Sequence, residues 1–134
     1  MKLVDTNVLA CLFIEGPFSA NAQALHASDA DWRSEPFILI AFTNLLATPI
    51  RASRLAPDAG PALVERAKAL LADGLHEGDH ASALAIAARL SVFAYDARFL
   101  CVALALGSRL VTEDATLQRK APAQAISIAK ALAS

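Results

Sequence analysis

Three aspartates stand at strand ends or helix starts: Asp5 in Lys2-Leu3-Val4-Asp5-Thr6-Asn7, Asp96 in Ala94-Tyr95-Asp96-Ala97, and Asp114 in Leu110-Val111-Thr112-Glu113-Asp114. In an open parallel α/β sheet, chemistry collects just beyond the carboxyl ends of the strands. Three carboxylates brought to that edge repel one another unless a cation holds them, and hard oxygen ligands of this kind suit Mg²⁺ or Mn²⁺. The chemistry indicated is metal-dependent cleavage of a phosphodiester. Taken singly, each aspartate also reads as a helix cap. The two roles are compatible, because a capping carboxylate keeps one oxygen free. Thr6, Asn7 and Thr112 add short hydroxyl and amide groups able to orient water or ligands around an ion.

The elements that must position these residues follow from periodicity and punctuation. Lys2–Val4 reads as a strand, followed by a helix from about Thr6 to Ile14 that Pro17 ends. Ser19 is placed to cap a helix running to about Ser28, and Trp32–Glu35 reads as a short strand. From about Phe37 to Arg51 the pattern is helical, with Ile38, Phe42, Leu45 and Leu46 on one apolar face. Asp58 starts a further helix with Pro61 in its first turn, ending near Gly74. Asp79 caps the next, to about Leu90, and Ala94–Leu106 is a largely buried helix stopped by Gly107. Arg109–Thr112 is a strand, Ala115–Lys120 a short helix and Ala125–Ile128 a last strand. Strands alternating with helices predict a three-layer α/β/α sandwich with a mostly parallel central sheet, one domain over residues 1–134.

The chain has 134 residues, 56% of them apolar, enough for a sizeable single core. Its longest apolar stretch, Pro36 to Ile50, is interrupted by Thr43, Asn44 and Thr48 and falls short of the ~20 residues a spanning helix needs. A buried core helix, or one that also serves as a dimer surface, is the expectation, with no membrane partner. Asp5 and Asn7 break any leader-like apolar opening, so no signal peptide is expected. Cys11 and Cys101 are too few for a disulfide framework and read as buried, reduced thiols of a cytoplasmic protein. The net charge of −1 provides no general attraction for nucleic acid. The sign is uneven, however, with basic groups at Arg51, Arg54, Arg66 and Lys68 and at Arg119 and Lys120. A phosphate backbone or plain solvation of a helix face accounts for these equally.

His76-Glu77-Gly78-Asp79-His80 spells the zinc-protease motif H-E-x-x-H, which needs both histidines one turn apart on a continuous helix. Gly74 and Gly78 break the segment and Asp79 is better suited to start a helix, so a solvated turn is expected instead. Phosphate-loop, dinucleotide and hydrolase-elbow motifs are missing from the sequence. Asp5-Thr6-Asn7 resembles the D-x-D loop of haloacid-dehalogenase-like phosphatases, but Asn7 stands where their general acid belongs.

The opening Met-Lys-Leu-Val-Asp-Thr-Asn-Val-Leu, the Tyr95-Asp96-Ala97-Arg98-Phe99 segment and Leu110-Val111-Thr112-Glu113-Asp114 together resemble the PIN-domain family. The similarity is greatest to the virulence-associated-protein-C type ribonuclease toxins of bacterial toxin–antitoxin pairs. It runs almost end to end, with Trp32 and Asn44-Leu45-Leu46 in the expected order between the outer motifs. The resemblance implies a four-acid site that binds one or two Mg²⁺ or Mn²⁺ ions and hydrolyses RNA, a homodimer, and neutralisation by a small cognate antitoxin. Asp5, Asp96 and Asp114 match three of the acids and metal ligands. Thr6, Asn7, Asn44 and Thr112 take supporting positions around them.

One departure stands out. The resemblance puts the second acid, a glutamate, three residues before Asn44, and this chain has Ala41 there. Positions 41 and 44 share a helix face, so an acid at 41 would accompany Asn44, whereas a methyl group ligates nothing. Glu35 is no simple substitute, lying about 240° around a continuous helix and beyond the Pro36 break. Glu113 is nearer in sequence, but a strand-end turn does not fix where it points. Three readings stay open: a degenerate domain kept for binding an antitoxin or RNA, an impaired nuclease working with three acids, or an introduced substitution that makes a toxic nuclease tolerable.

Overall fold

In the computed structural model, which describes residues 1–134, four short parallel strands lie in the order β2-β1-β3-β4. They are β1 (Lys2–Val4), β2 (Trp32–Arg33), β3 (Leu110–Val111) and β4 (Ala125–Ile126). Leu3 and Val4 pair with Leu110 and Val111, while Lys2 and Leu3 pair with Trp32 and Arg33 on the other side. Leu3, Val4, Leu110 and Val111 are all buried, as strands covered on both faces must be.

Eight helices cover the sheet: α1 (Thr6–Phe13), α2 (Ser19–Ser28), α3 (Phe37–Arg51), α4 (Ala59–Leu71), α5 (His80–Leu90), α6 (Ala94–Leu106), α7 (Ala115–Lys120) and α8 (Ile128–Leu132). The result is the expected three-layer α/β/α sandwich. Helix α3 packs on α1 and α4, α2 joins α1 to α8, and α5 pairs with α6, which also touches β3. Trp32, Phe42, Leu3, Leu9, Leu25 and Ile38 are among the largest fully buried side chains. On α3 the buried row is Ile38, Phe42 and Leu46, spaced one turn apart. Gly107 ends α6 with φ of 60°, a left-handed cap that glycine takes without strain. No helix is long and apolar enough to cross a membrane.

The structure corrects several boundaries, among them those of β3, which spans Leu110–Val111 rather than Arg109–Thr112. Strand β2 stops at Arg33 rather than Glu35, because Ser34 bridges to Leu75 and the Glu35 side chain turns to accept from the Phe37 N–H. Ser19 is the first residue of α2 rather than its cap; its hydroxyl donates to the Ile14 carbonyl and accepts from the Gly16 N–H. Helix α4 ends at Leu71, and a separate 3-10 turn, Ala72–Gly74, leads on. The last strand ends at Ile126, since Ser127 accepts from the Lys130 N–H and starts α8. At Gly74 a Cβ would lie 2.6 Å from the Trp32 carbonyl oxygen, so only glycine allows this turn to approach β2.

Candidate active site

Register places the first two components. Because Val4 and Val111 are partners on adjacent parallel strands, the next residues, Asp5 and Thr112, emerge side by side at the carboxyl edge of the sheet. The Asp5 N–H donates to the Val111 carbonyl at 3.0 Å, carrying the pairing one residue further. Asp5 is 5% exposed and Thr112 fully buried. Oδ1 of Asp5 accepts from the Thr6 N–H at 2.7 Å. Its Oδ2 accepts from the Thr112 hydroxyl at 2.8 Å and from Asn7 Nδ2 at 3.3 Å.

Thr112 is the node of the network. Its hydroxyl oxygen also accepts from Asn7 Nδ2 and from the Asp114 N–H, both at 3.1 Å. Asn7 returns the contact through Oδ1, which accepts from the Glu113 N–H at 3.0 Å. Gln118 Nε2 donates to the Thr112 carbonyl at 2.6 Å. The Asp5 and Asp114 side chains cap α1 and α7, and Asp114 Oδ1 accepts from the Leu117 N–H at 3.1 Å. Asp96 sits in the first turn of α6. All three carboxylates therefore stand at helix N-termini, where the helix dipole favours negative charge.

Burial raises the Asp5 carboxyl to about 6, and the charges of Asp96 and Asp114 push the same way against the hydrogen bonds from Thr112 and Thr6. Asp96 is also raised, by burial and then by Asp114. The three acids are thus close enough to act on one another electrostatically. None of them forms an ion pair; the four in the protein use Asp29, Asp31, Glu65 and Glu35. The cluster carries uncompensated negative charge on oxygen donors, which is the chemistry that Mg²⁺ or Mn²⁺ satisfies. Asp96 has no hydrogen-bond partner, and Asp114 Oδ2 is likewise unengaged, whereas Asp5 is locked. No three His, Cys, Asp or Glu side chains form a ready-made ligand set. Asp96 and Asp114, both partly exposed, are the members with freedom to converge on Asp5.

Of the supporting residues expected, Thr6 and Asn44 do not bring their side chains to the acids. Thr6 reaches Asp5 through its backbone N–H rather than its hydroxyl. Asn44 is exposed on α3 and bonds to none of the acids, because two positions beyond buried Phe42 a helix points away from the core. Ala41 is half-buried, one turn beyond Phe37 on the same side of α3. Phe37 in turn stacks on Tyr95, the neighbour of Asp96, with centroids 5.0 Å apart. Glu113 turns away from the acids, its Oε1 accepting from the Ile128 N–H at 2.8 Å.

Glu35 takes no part in the acid cluster, as the sequence indicates. It is 1% exposed and pairs with Arg98 at 3.1 Å, two residues beyond Asp96. Arg98 also contacts His80 Nδ1 and the Gly78 carbonyl. Nothing in the spacing of residues 35 and 98 announces this pair. Asp79 caps α5, leaving His76 outside the helix, so the H-E-x-x-H segment lacks the geometry of a zinc site. Cys11 and Cys101 are free thiols, half-buried and buried.

No protein-family model matches the chain, and no curated protein matches it. Among solved structures it is similar to the crystal structure of PAE2754 from Pyrobaculum aerophilum, with a TM-score of 0.79 and 22% identity. The match covers 98% of this chain and 93% of that one. A likeness at this level of identity concerns the fold.

Proposed function

We propose that this chain is a PIN-type, Mg²⁺- or Mn²⁺-dependent endoribonuclease of the toxin class, weakened by Ala41 at the position of the second acid. The observation that carries the reading is the buried Asp5, held above the usual carboxylate range beside Asp96 and Asp114 with no ion pair to offset them. Asp5, Asp96 and Asp114 would hold the ion. When bound, it supplies Lewis-acid polarisation of the phosphate and lowers the pKa of water. The chain's own part is positional. Thr112 and Asn7 fix Asp5 in one rotamer, and the helix starts of α1, α6 and α7 aim the acids at one edge. Asp5 must lose its proton to act as a ligand, so the ion and the proton compete for it.

A homodimer in the cytoplasm, neutralised by a small antitoxin, completes the proposal. The exposed apolar patch of Phe37, Ile40 and Tyr95 supports a protein contact, Ile40 being 65% exposed. The second reading is a non-catalytic PIN-type protein that dimerises and engages an antitoxin or RNA, and Ala41 favours it. Cleavage of a mixed-sequence RNA with Mn²⁺ is the test, using the native chain, Ala41→Glu and Asp5→Asn/Asp96→Asn. Metal-dependent cleavage that the double variant abolishes supports the nuclease. If both the native chain and Ala41→Glu leave the RNA intact, the binding-protein reading stands instead.

A further inference from the structure

Asp96 and Asp114 share a cavity of 430 Å³ whose remaining wall has no role in holding an ion. Phe93, the residue before α6, lines it while remaining 76% exposed, the most exposed large apolar side chain in the protein. Thr116 and Ser91 contribute hydroxyls, and Lys120 is the only cation on the wall. The Lys120 amine donates to the Ser91 carbonyl at 2.6 Å, which holds the end of α7 against the turn between α5 and α6.

We infer that this cavity is the seat of a single-stranded nucleotide next to the scissile phosphate, with Phe93 stacking on its base and Lys120 meeting the adjoining phosphate. The inference rests on the nuclease reading and adds to it the residues that seat the strand beside the acids, an aromatic ring and an amine, since only an unstacked base offers its face to an aromatic ring. A lone aromatic ring among carboxylates, hydroxyls and an amine suits a ligand with a π face and an anionic backbone. A protein partner calls for a contiguous apolar surface, which the separate cavity formed by Pro36, Phe37, Ile40 and Tyr95 provides. Stacking tolerates any base, so Phe93 contributes affinity and strand state rather than base identity.

The test is anisotropy of a fluorescein-labelled mixed-sequence RNA dodecamer with Ca²⁺ in place of Mg²⁺, alongside cleavage with Mn²⁺. Phe93→Ala is expected to weaken binding about 10-fold, while Phe93→Trp preserves it. RNA should quench the introduced indole, with buried Trp32 as the constant background. Lys120→Gln should lower the slope of log affinity against log salt by about 0.7. Native affinity in Phe93→Ala, or an unquenched indole, overturns the proposal. So does a change from dimer to monomer in Phe93→Ala with RNA affinity unaltered, which would assign the face to a protein. Cleavage by the native chain that Phe93→Ala leaves untouched defeats this seat alone. Stacking without any cleavage, even in Ala41→Glu, defeats the nuclease reading alone. A native chain that binds no RNA defeats both.

Discussion

The Thr112 hydroxyl donates to Oδ2 of Asp5 at 2.8 Å, tying together two strand ends that are 107 residues apart in sequence. The same oxygen accepts from Asn7 and from the Asp114 N–H, so one side chain joins β1, α1 and the start of α7. Thr112→Val keeps the shape and removes all three bonds, leaving buried partners unpaired. The expected cost is about 1–3 kcal/mol in urea unfolding. Loss of the donor also raises Asp5 further and weakens metal binding near neutral pH. Thr112→Ser should recover most of both, and equal losses in Ser and Val variants would show that the methyl group, not the hydroxyl, is what matters.

Stability should fall as the pH rises through 6. The Asp5 carboxyl moves from an ordinary 3.8 to about 6 on folding, so the folded state binds its proton more tightly. The resulting stabilisation is fully present below 3.8 and is lost as the pH rises through about 6. A shift of this size corresponds to about 3 kcal/mol. Asp96 shifts in the same direction. Without divalent metal, thermal unfolding should show a steadier fold at pH 5 than at pH 7.5. Added Mn²⁺ should reverse the order, because a ligand of the ionised form stabilises only where that form exists. Asp5→Asn should flatten the profile; an unchanged slope would place the titrating group elsewhere.

The parallel sheet and most of the helices were legible in the sequence because each rests on local chemistry. Gly107 and the capping Asp79 mark their boundaries unaided. Parallel strands put Asp5 and Thr112 side by side at one edge, with Asp114 two residues on, and the start of α6 brings Asp96 near enough to act on Asp5 electrostatically. Other features depend on distant partners. Glu35 reads as the last residue of a strand until its burial against Arg98 from α6 is seen. Ser127 reads as part of a strand until its hydroxyl is seen to start α8. Asn44 was placed by resemblance, whereas its actual direction follows from the Ile38–Phe42–Leu46 row facing the core. The exposure of Phe93 was invisible, because exposure cannot be read from residue type.

Breaking the Glu35–Arg98 pair should be costly on one side only. Glu35 is almost completely buried, whereas the Arg98 side chain is 17% exposed. Arg98→Ala leaves a carboxylate in the interior, expected to cost about 2–3 kcal/mol, below the figure for a fully sealed pair because water can follow the truncated arginine. Glu35→Gln retains an acceptor for the Phe37 N–H and should cost less. Denaturant midpoints compare the two; a costlier Glu35→Gln would mean that the carboxylate's charge, not its burial, governs the site.

Self-association should pass through the start of α3. Ile40 and Tyr95 are 65% and 62% exposed and line one cavity with Pro36 and Phe37. A closed two-fold contact is the commonest way to cover such a patch. Ile40→Glu places a charge in its centre and should convert a dimer to a monomer at tens of micromolar in light scattering, with little loss of thermal stability in the monomer. A native chain that is already monomeric at that concentration rejects the dimer.

Restoring the missing acid gives the sharpest prediction. Ala41 lies half-buried on α3, on the side of Phe37, whose ring stacks against the residue preceding Asp96. A glutamate there is a good helix former, and the partial exposure of the position leaves its carboxylate access to solvent. Ala41→Glu should tighten Mn²⁺ binding, read by calorimetry, and increase RNA cleavage, each by about 10–100-fold, the usual worth of a group that positions a metal. It should also make expression toxic to the host cell. A fourth carboxylate adds repulsion, so the variant should be less stable than the native chain without metal and regain stability when Mn²⁺ is supplied. If the variant instead loses several kcal/mol, about what an unpaired buried charge costs, and Mn²⁺ restores none of it, position 41 faces the core and takes no part in the site.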